Sequence, residues 1–220
     1  MLNEATRVEQ SRFNMVEQQV RTWEVLDAKV LHLLQTLPRE AFVPKAYQGL
    51  AFADIEIPLD HGQTMLSPKI EGRFLQALAL TAQDKVLEIG TGAAYLTALM
   101  AKQAKHVDSY EVHRALSNQA GKSLSAQKIK NVTLHVGDGL ALANGQYQAI
   151  VLTGSLPVYP QAMERLLAIG GRMLVVVGSA PVMQAILVSR VDENSFKQDV
   201  LFETCLPVLE NAPQPSRFEF

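Results

Sequence analysis

Lys85-Val86-Leu87-Glu88-Ile89-Gly90-Thr91-Gly92 decides how this chain folds. The run Lys85–Ile89 is short, apolar and rich in branched side chains, as a buried strand is. Gly90-Thr91-Gly92 then breaks the pattern, and a helical pattern continues through Met100. Glycines at a strand-to-helix junction permit a tight turn and close approach of backbone to a ligand, and the helix start presents unpaired N–H groups. In a doubly wound sheet, ligands bind just outside the carboxyl ends of the strands, where this loop would lie.

Downstream, strand and helix patterns alternate. His106–Glu111 reads as a second strand, followed by a helix with Leu116, Ala120 and Leu124 on one face. Val132–Val136 and Ala149–Leu152 read as the third and fourth strands, a helix is expected around Met163–Leu167, and Gly170-Gly171 leads to a strand over 172–177. Repeated βα units predict a parallel sheet with right-handed crossovers and helices on both faces. Two further strand-like runs, 182–191 and 196–206, are joined by the turn signal Asp192-Glu193-Asn194-Ser195 and should pair antiparallel. Asn211–Pro215 reads as an irregular tail.

Upstream, residues 1–80 read as mostly helical. Leu26, Val30, Leu33, Leu34 and Leu37 recur at helical spacing until Pro38, and Phe13, Val16 and Val20 suggest another helix. Residues 54–68, broken by Pro58, Gly62 and Pro68, read as a loop, and a helix resumes through Ile70, Phe74, Leu75 and Leu78. The expected fold class is α/β: a Rossmann-like, mostly parallel sheet with an antiparallel C-terminal hairpin and an N-terminal helical extension. We expect one domain over 1–220, with the extension at 1–80, the core at 81–180 and the hairpin and tail at 181–220.

With 48% hydrophobic and 19% charged residues, the 220-residue chain can bury a core, which excludes a largely disordered protein. A net charge of −2 gives no electrostatic reason to expect nucleic acid. Cys205 is the sole cysteine, so no disulfide forms within the chain, and it is expected to pack. The first residues are polar, unlike a signal peptide, and the longest apolar runs are too short for a bilayer, so a cytoplasmic protein without membrane contact is expected. His32, His61, His106, His113 and His135 show no metal-ligand spacing, so no metal is expected. His61 stays a candidate because it abuts Gly62-Gln63-Thr64.

The choice of ligand follows from what the glycine loop lacks. Glu111 lies 19 positions after Gly92, at the end of the second strand, where a carboxylate accepts hydrogen bonds from ribose hydroxyls. Both NAD and S-adenosylmethionine carry such hydroxyls. The dinucleotide fingerprint, however, needs a third glycine where this chain has Tyr95. S-adenosylmethionine has no pyrophosphate and no such need. Gly137-Asp138-Gly139, after the third strand, supplies a carboxylate where an adenine would lie. The expected cofactor is therefore S-adenosylmethionine, with Glu88, Gly90, Thr91, Gly92, Tyr95, Glu111, Val112, Gly137, Asp138 and Gly139 as its binding residues.

These features sit in a longer series: Met15-Val16 with Gln19, Pro38-Arg39-Glu40-Ala41-Phe42-Val43-Pro44, Asp54, Ile57-Pro58-Leu59, Gly62-Gln63-Thr64, Pro68, the glycine loop, Gly137-Asp138-Gly139, Gly170-Gly171 and Val177-Gly178. In that order they resemble the protein-L-isoaspartate O-methyltransferases, and Arg39–Pro44 combined with Gly62-Gln63-Thr64 is the most specific part. The resemblance implies methylation of the abnormal carboxyl group of isoaspartyl residues in damaged proteins, the ester then favouring succinimide formation and repair. It also implies that residues 54–68 lie over the strand ends near the cofactor's sulfur, with Thr64 and Ser67 as the acceptor-side, catalytic candidates.

The family pattern reads Gly-Gln-Thr-Ile-Ser-x-Pro. Here Leu66 occupies the serine position and Ser67 comes one place late. Successive side chains of an extended segment point to opposite sides, so Ser67 cannot simply replace the missing hydroxyl. Lys69-Ile70-Glu71 and Thr153-Gly154-Ser155-Leu156-Pro157 also depart from the family's usual residues. The expectation is isoaspartyl methylation weaker than with the usual serine. Two alternatives stay open on sequence: a methyltransferase of this scaffold with another, small-molecule acceptor, and a non-catalytic cofactor-binding protein. Oligomeric state has no signature in the sequence.

Overall fold

The structure is a computed structural model and describes residues 4–215. Helix α1 (Glu4–Met15) runs into a π-helical turn, Val16–Val20, and a 3₁₀ turn, Arg21–Trp23. The wider π turn shifts the helical phase, so Val16 and Val20 are buried while Phe13 is half exposed. Helix α2 (Ala28–Thr36) starts at Asp27, whose carboxylate accepts the N–H groups of Lys29 and Val30. Leu26, expected within this helix, lies before it and is exposed, because its N–H and that of Asp27 both bond to Gln76 Oε1.

The segment expected as a loop holds a small antiparallel hairpin, β1 (Ile57–Pro58) with β2 (Thr64–Met65), spanned by a 3₁₀ turn at Asp60–Gly62. Helix α3 (Pro68–Leu78) follows, with Pro68 in its first turn, where a missing N–H costs nothing. Then come β3 (Lys85–Ile89), α4 (Tyr95–Ala101), β4 (His106–Glu111), α5 (Arg114–Ala126), β5 (Val132–Val136), β6 (Tyr147–Leu156), β7 (Leu167–Ser179), β8 (Val182–Arg190) and β9 (Phe196–Thr204).

The main sheet has the order β5-β4-β3-β6-β7-β8-β9. Its pairings are parallel from β5 to β7 and antiparallel from β7 through β9. The expected α/β class, with its C-terminal hairpin and helical N-terminus, is what the chain adopts. Strand order reverses at β3: the chain first steps outward to β4 and β5, then returns to add β6 on the other side. Such a switch point opens a crevice at the carboxyl ends of the strands.

The central strands alternate between two apolar clusters. Val86, Ala149, Val151, Leu174 and Val176 face the cluster built with α2 to α5 and the N-terminal turns. Leu87, Ile150, Leu152, Met173 and Val175 face a second cluster. Helices were expected on both faces, but among the described residues no α-helix contributes a buried residue to that second cluster. Its cover is 3₁₀ turns, with Met163 and Leu166 from Gln161–Leu166, and tail residues Leu209 and Ala212. The reason is chain length: residues 137–146 and 157–166 connect the strands there, fewer than a helical crossover usually takes. Pro157 and Pro160 also remove backbone donors from the second connection, so the helix expected near Met163 is a 3₁₀ turn.

Candidate functional site

A cleft of about 870 Å³, counting its open mouth, lies over the carboxyl ends of β3, β4 and β6. Thr64 and all the expected cofactor residues, from Glu88 to Gly139, line it. Ser67 does not. It lies in a second depression with Trp23, Asp54, Lys69 and Cys205, while its neighbour Leu66 faces the cleft. The alternation of an extended segment thus removes Ser67 from the acceptor side.

The glycine loop needs its glycines. Gly90 has φ +95°, and a Cβ there would collide with Thr153 Oγ1, which donates to the carbonyls of Ile89 and Gly90 at 3.1 and 2.7 Å. Gly92 has φ +51° and donates its N–H to Glu111 Oε2 at 2.9 Å. Glu111 Oε1 accepts the His113 N–H at 3.0 Å. A carboxylate offers about four acceptor positions, so Glu111 keeps capacity for ligand hydroxyls. Gly139 is constrained by space alone, since a Cβ would meet Ile89 Cγ1 at 2.9 Å and Tyr110 Cβ at 3.0 Å. Asp138 is fixed by accepting the Leu140 N–H at 2.9 Å.

Glu88 is fully buried at the end of β3. Its Oε2 accepts the hydroxyls of Thr97 and Ser109 at 2.5 and 2.6 Å. Since Ser109 spends its proton on Glu88, Thr91 must donate in the 2.6 Å contact between their hydroxyls. Glu88 Oε1 is buried without a partner. Burial pushes the carboxyl up to about 8, although the two hydroxyls pull it down; neighbouring Glu111 adds to the rise. A cationic donor placed at Oε1 would favour the ionised carboxylate and satisfy this partnerless oxygen. S-adenosylmethionine carries an ammonium and a sulfonium, and the crowded glycines leave their backbone open to a ligand. The residues present fit that group.

Tyr95 is buried against the N-terminal layer, its ring 5.4 Å from Phe42 and its hydroxyl donating to Leu37 O at 3.4 Å. It thus joins the cleft to the helical extension, at the position where a dinucleotide site needs glycine. Cys205, expected to pack, is exposed beside the second depression, because β9 ends at Thr204. His61, with φ +60°, stacks on His113 at 4.1 Å between ring centroids, and neither lines the cleft.

Sequence reasoning missed the tail and Glu71. Pro207–Glu210 forms one wall of the cleft: Ser155 donates its N–H to Pro207 O and accepts that of Leu209, at 2.8 and 3.0 Å. Glu210 Oε1 then meets His113 Nε2 at 2.7 Å and Gln63 Nε2 at 3.1 Å, tying the tail to two other rims of the cleft. Nothing in an irregular stretch signals such a role. Glu71 did carry a signal, a carboxyl among Ile70, Phe74, Leu75 and Leu78 on an apolar helix face. Its Oε2 accepts from Arg39 Nε at 3.0 Å, both side chains being buried.

A Rossmann-like sheet with this switch point, orphaned carboxylate and glycine cradle defines a methyltransferase. The chain belongs to the protein-L-isoaspartate(D-aspartate) O-methyltransferase family, whose profile matches residues 10–211. It is 38% identical over 179 residues to protein-L-isoaspartate O-methyltransferase 1 of Rhodopseudomonas palustris strain HaA2, covering 80% of this chain and 73% of that one. To the protein-L-isoaspartate O-methyltransferase of Ectopseudomonas mendocina strain ymp it is 36% identical over 190 residues, covering 85% and 90%. A solved protein-L-isoaspartate O-methyltransferase superposes with TM-score 0.78 at 23% identity, over 91% of this chain and 66% of that one. A second, described as a putative enzyme of this type from Plasmodium falciparum in complex with S-adenosyl-L-homocysteine, gives 0.75 at 18% identity, over 92% and 98%. These two likenesses speak for the fold. The family's methyl donor is S-adenosylmethionine. Among the described residues, no helix is long and apolar enough to cross a membrane, and no group of three or more His, Cys, Asp or Glu side chains is placed to hold a metal ion.

Proposed function

We infer that this chain is an S-adenosylmethionine-dependent protein carboxyl methyltransferase acting on isoaspartyl residues of damaged proteins. The observation that carries the reading is the continuity of one cleft, lined at one end by Glu88–Gly92, Glu111 and Gly137–Gly139 and at the other by Gln63–Leu66. Gly92, Glu111 and Asp138 would hold the nucleoside part, and the orphaned oxygen of Glu88 would meet a cationic donor.

When bound, the cofactor supplies a methyl group already activated on a sulfonium. The protein's own work is alignment and exclusion of water. A carboxyl acceptor is ionised at neutral pH, its ordinary pKa being about 4, so no strong general base is needed. Thr64 lies at the acceptor end, but its hydroxyl donates to Glu56 Oε2 at 3.1 Å and positions the loop. Residues 54–68 serve as the acceptor loop of a single methyltransferase domain. We also propose a cytoplasmic setting and no nucleic-acid partner, supported by the lone cysteine and the net charge of −2.

Transfer of a labelled methyl group to an isoaspartyl peptide, beside its aspartyl counterpart, tests the reading. Base-labile label in the isoaspartyl peptide alone is the expected result. Equal labelling of both, or none with cofactor bound, sinks it.

A further inference from the structure

The acceptor end of the cleft is short of donors for a carboxylate. Leu66 presents an apolar side chain where the family carries a serine, and Ser67 lies in the other depression. Thr64 has committed its proton to Glu56. Among the described residues, no lysine, arginine or histidine lines the cleft. Gln63, at the same end, spends its amide N–H groups on His61 O at 3.3 Å and Glu210 Oε1 at 3.1 Å. One further polar side chain does reach this wall: Glu71, from the first turn of α3, which lines the cleft together with Thr64, Met65 and Leu66. An ionised Glu71 would repel an incoming carboxylate, whereas a protonated one would bind it through a shared proton.

We propose that Glu71, in its protonated form, is the acceptor-binding residue of this enzyme, donating to the substrate carboxylate the hydrogen bond that Leu66 cannot. The proposal rests on the isoaspartyl reading given above. Arg39 makes the geometry specific. It donates from Nε to Glu71 Oε2, and from its two terminal nitrogens to Ala51 O at 2.7 Å and Leu66 O at 2.5 Å. Oε2 is thereby held as an acceptor, so the proton belongs on Oε1. The same guanidinium anchors the backbone of Leu66, so one buried cation sets both the acceptor loop and the donor.

Burial supports the protonated form: it pushes Glu71 up to about 7, with Arg39 pulling in the opposite direction. The other groups packed nearby are Tyr95 of α4, with Arg12 and Glu40 beyond it. Lys69 and Arg73 of the same helix are turned to Asp54 and Glu24. Glu88 and Glu111 lie along the same cleft.

The test is the KM for an isoaspartyl peptide against pH, at saturating cofactor, with cofactor affinity measured at each pH. For the parent, KM should rise roughly tenfold from about pH 6 to about pH 8, as the competent fraction falls, while kcat changes little. Glu71→Gln keeps an N–H donor at every pH, so its KM should lose that slope and lie below the parent's at about pH 8. Glu71→Val should show a high KM at both ends, and Leu66→Ser in that background should bring it down. A parent KM flat with pH, or the same slope in Glu71→Gln, overturns the role of Glu71 while leaving the isoaspartyl reading intact. No transfer by any protein, with cofactor bound, overturns both. If Glu71→Val does not fold, the parent and Glu71→Gln profiles still decide.

Discussion

Thr153 occupies the space that a side chain on Gly90 would need, and its Oγ1 holds the Gly90 carbonyl at 2.7 Å. Two problems therefore face Gly90→Ala: a collision, and a left-handed φ of +95°. The substitution should cost at least about 1–3 kcal/mol and abolish measurable cofactor binding. Adding Thr153→Ala should relieve the collision but not the backbone strain. Chemical denaturation of the four proteins gives the coupling, expected to be about 0.5–3 kcal/mol in favour of the double variant. Additive effects would mean that Thr153 does not crowd this loop.

Glu71 and Glu88 make stability depend on pH in an unusual direction. Burial raises both folded-state values, to about 7 and about 8, above the ordinary value of 4.5. The folded state then binds more protons than the unfolded one between those limits. Stability is fully present below about pH 4.5 and declines as pH rises through about 7 and 8. Burial raises Asp84 and Asp108, but the hydrogen bonds and charge of Arg172 with Thr81 around the first, and of Lys85 with His135 around the second, together shift both downward, so they act at more acidic pH. The melting temperature of cofactor-free protein should fall from about pH 5.5 to about pH 8.5, and Glu88→Gln should flatten the decline. A melting temperature that climbs over this window would contradict the burial of both carboxyls.

Glu111 is predicted to contribute to cofactor affinity through charge-assisted hydrogen bonds. Glu111→Ala should weaken S-adenosylmethionine binding by roughly 1.5–3 kcal/mol, or about 10- to 150-fold. Part of that loss passes through the N–H groups of Gly92 and His113, which would lose their acceptor. Titration calorimetry is the measurement, and an unchanged dissociation constant would take Glu111 out of the site.

Exchanging the two acceptor-loop residues, Leu66→Ser with Ser67→Gln, should place a hydroxyl on the cleft side. Ser67 precedes α3 without a side-chain capping bond, so its loss costs little there. Methyl transfer to an isoaspartyl peptide should rise about tenfold, equivalent to about 1.4 kcal/mol in the barrier. The gain should be larger at alkaline pH, where Glu71 has lost its proton. No gain at any pH would mean that the serine position does not limit this enzyme.

The core of the fold was legible because its signals are local. A strand run ending in Gly90-Thr91-Gly92, with Glu111 and Asp138 after the next two strands, places three carboxyl ends beside one another in any parallel sheet of this order. The helix start at Asp27, the phase shift at Val16–Val20 and the 3₁₀ turn near Met163 were not legible, because packing and connection length override the apolar spacing. Ser67 shows the same limit within the site: the residue type was right for the chemistry, but strand alternation decides which way it faces. Glu71 was visible as a misplaced charge on an apolar face, yet its pairing with Arg39 spans 32 positions and no local pattern encodes it. The tail wall at Pro207–Glu210 lies farther still from the loop it faces.

That distance has a kinetic meaning. Leu209 comes within 3.3 Å of where a Cβ on Gly90 would stand, across 119 positions of sequence. Closing so long a loop carries an entropic cost that nearby contacts must already have offset, and contacts of high sequence separation form slowly. Cofactor capture should therefore be the last property the chain acquires on refolding, trailing the appearance of helical signal. A fluorescent cofactor analogue mixed with refolding protein would register completion of the whole tertiary structure rather than of the glycine turn alone.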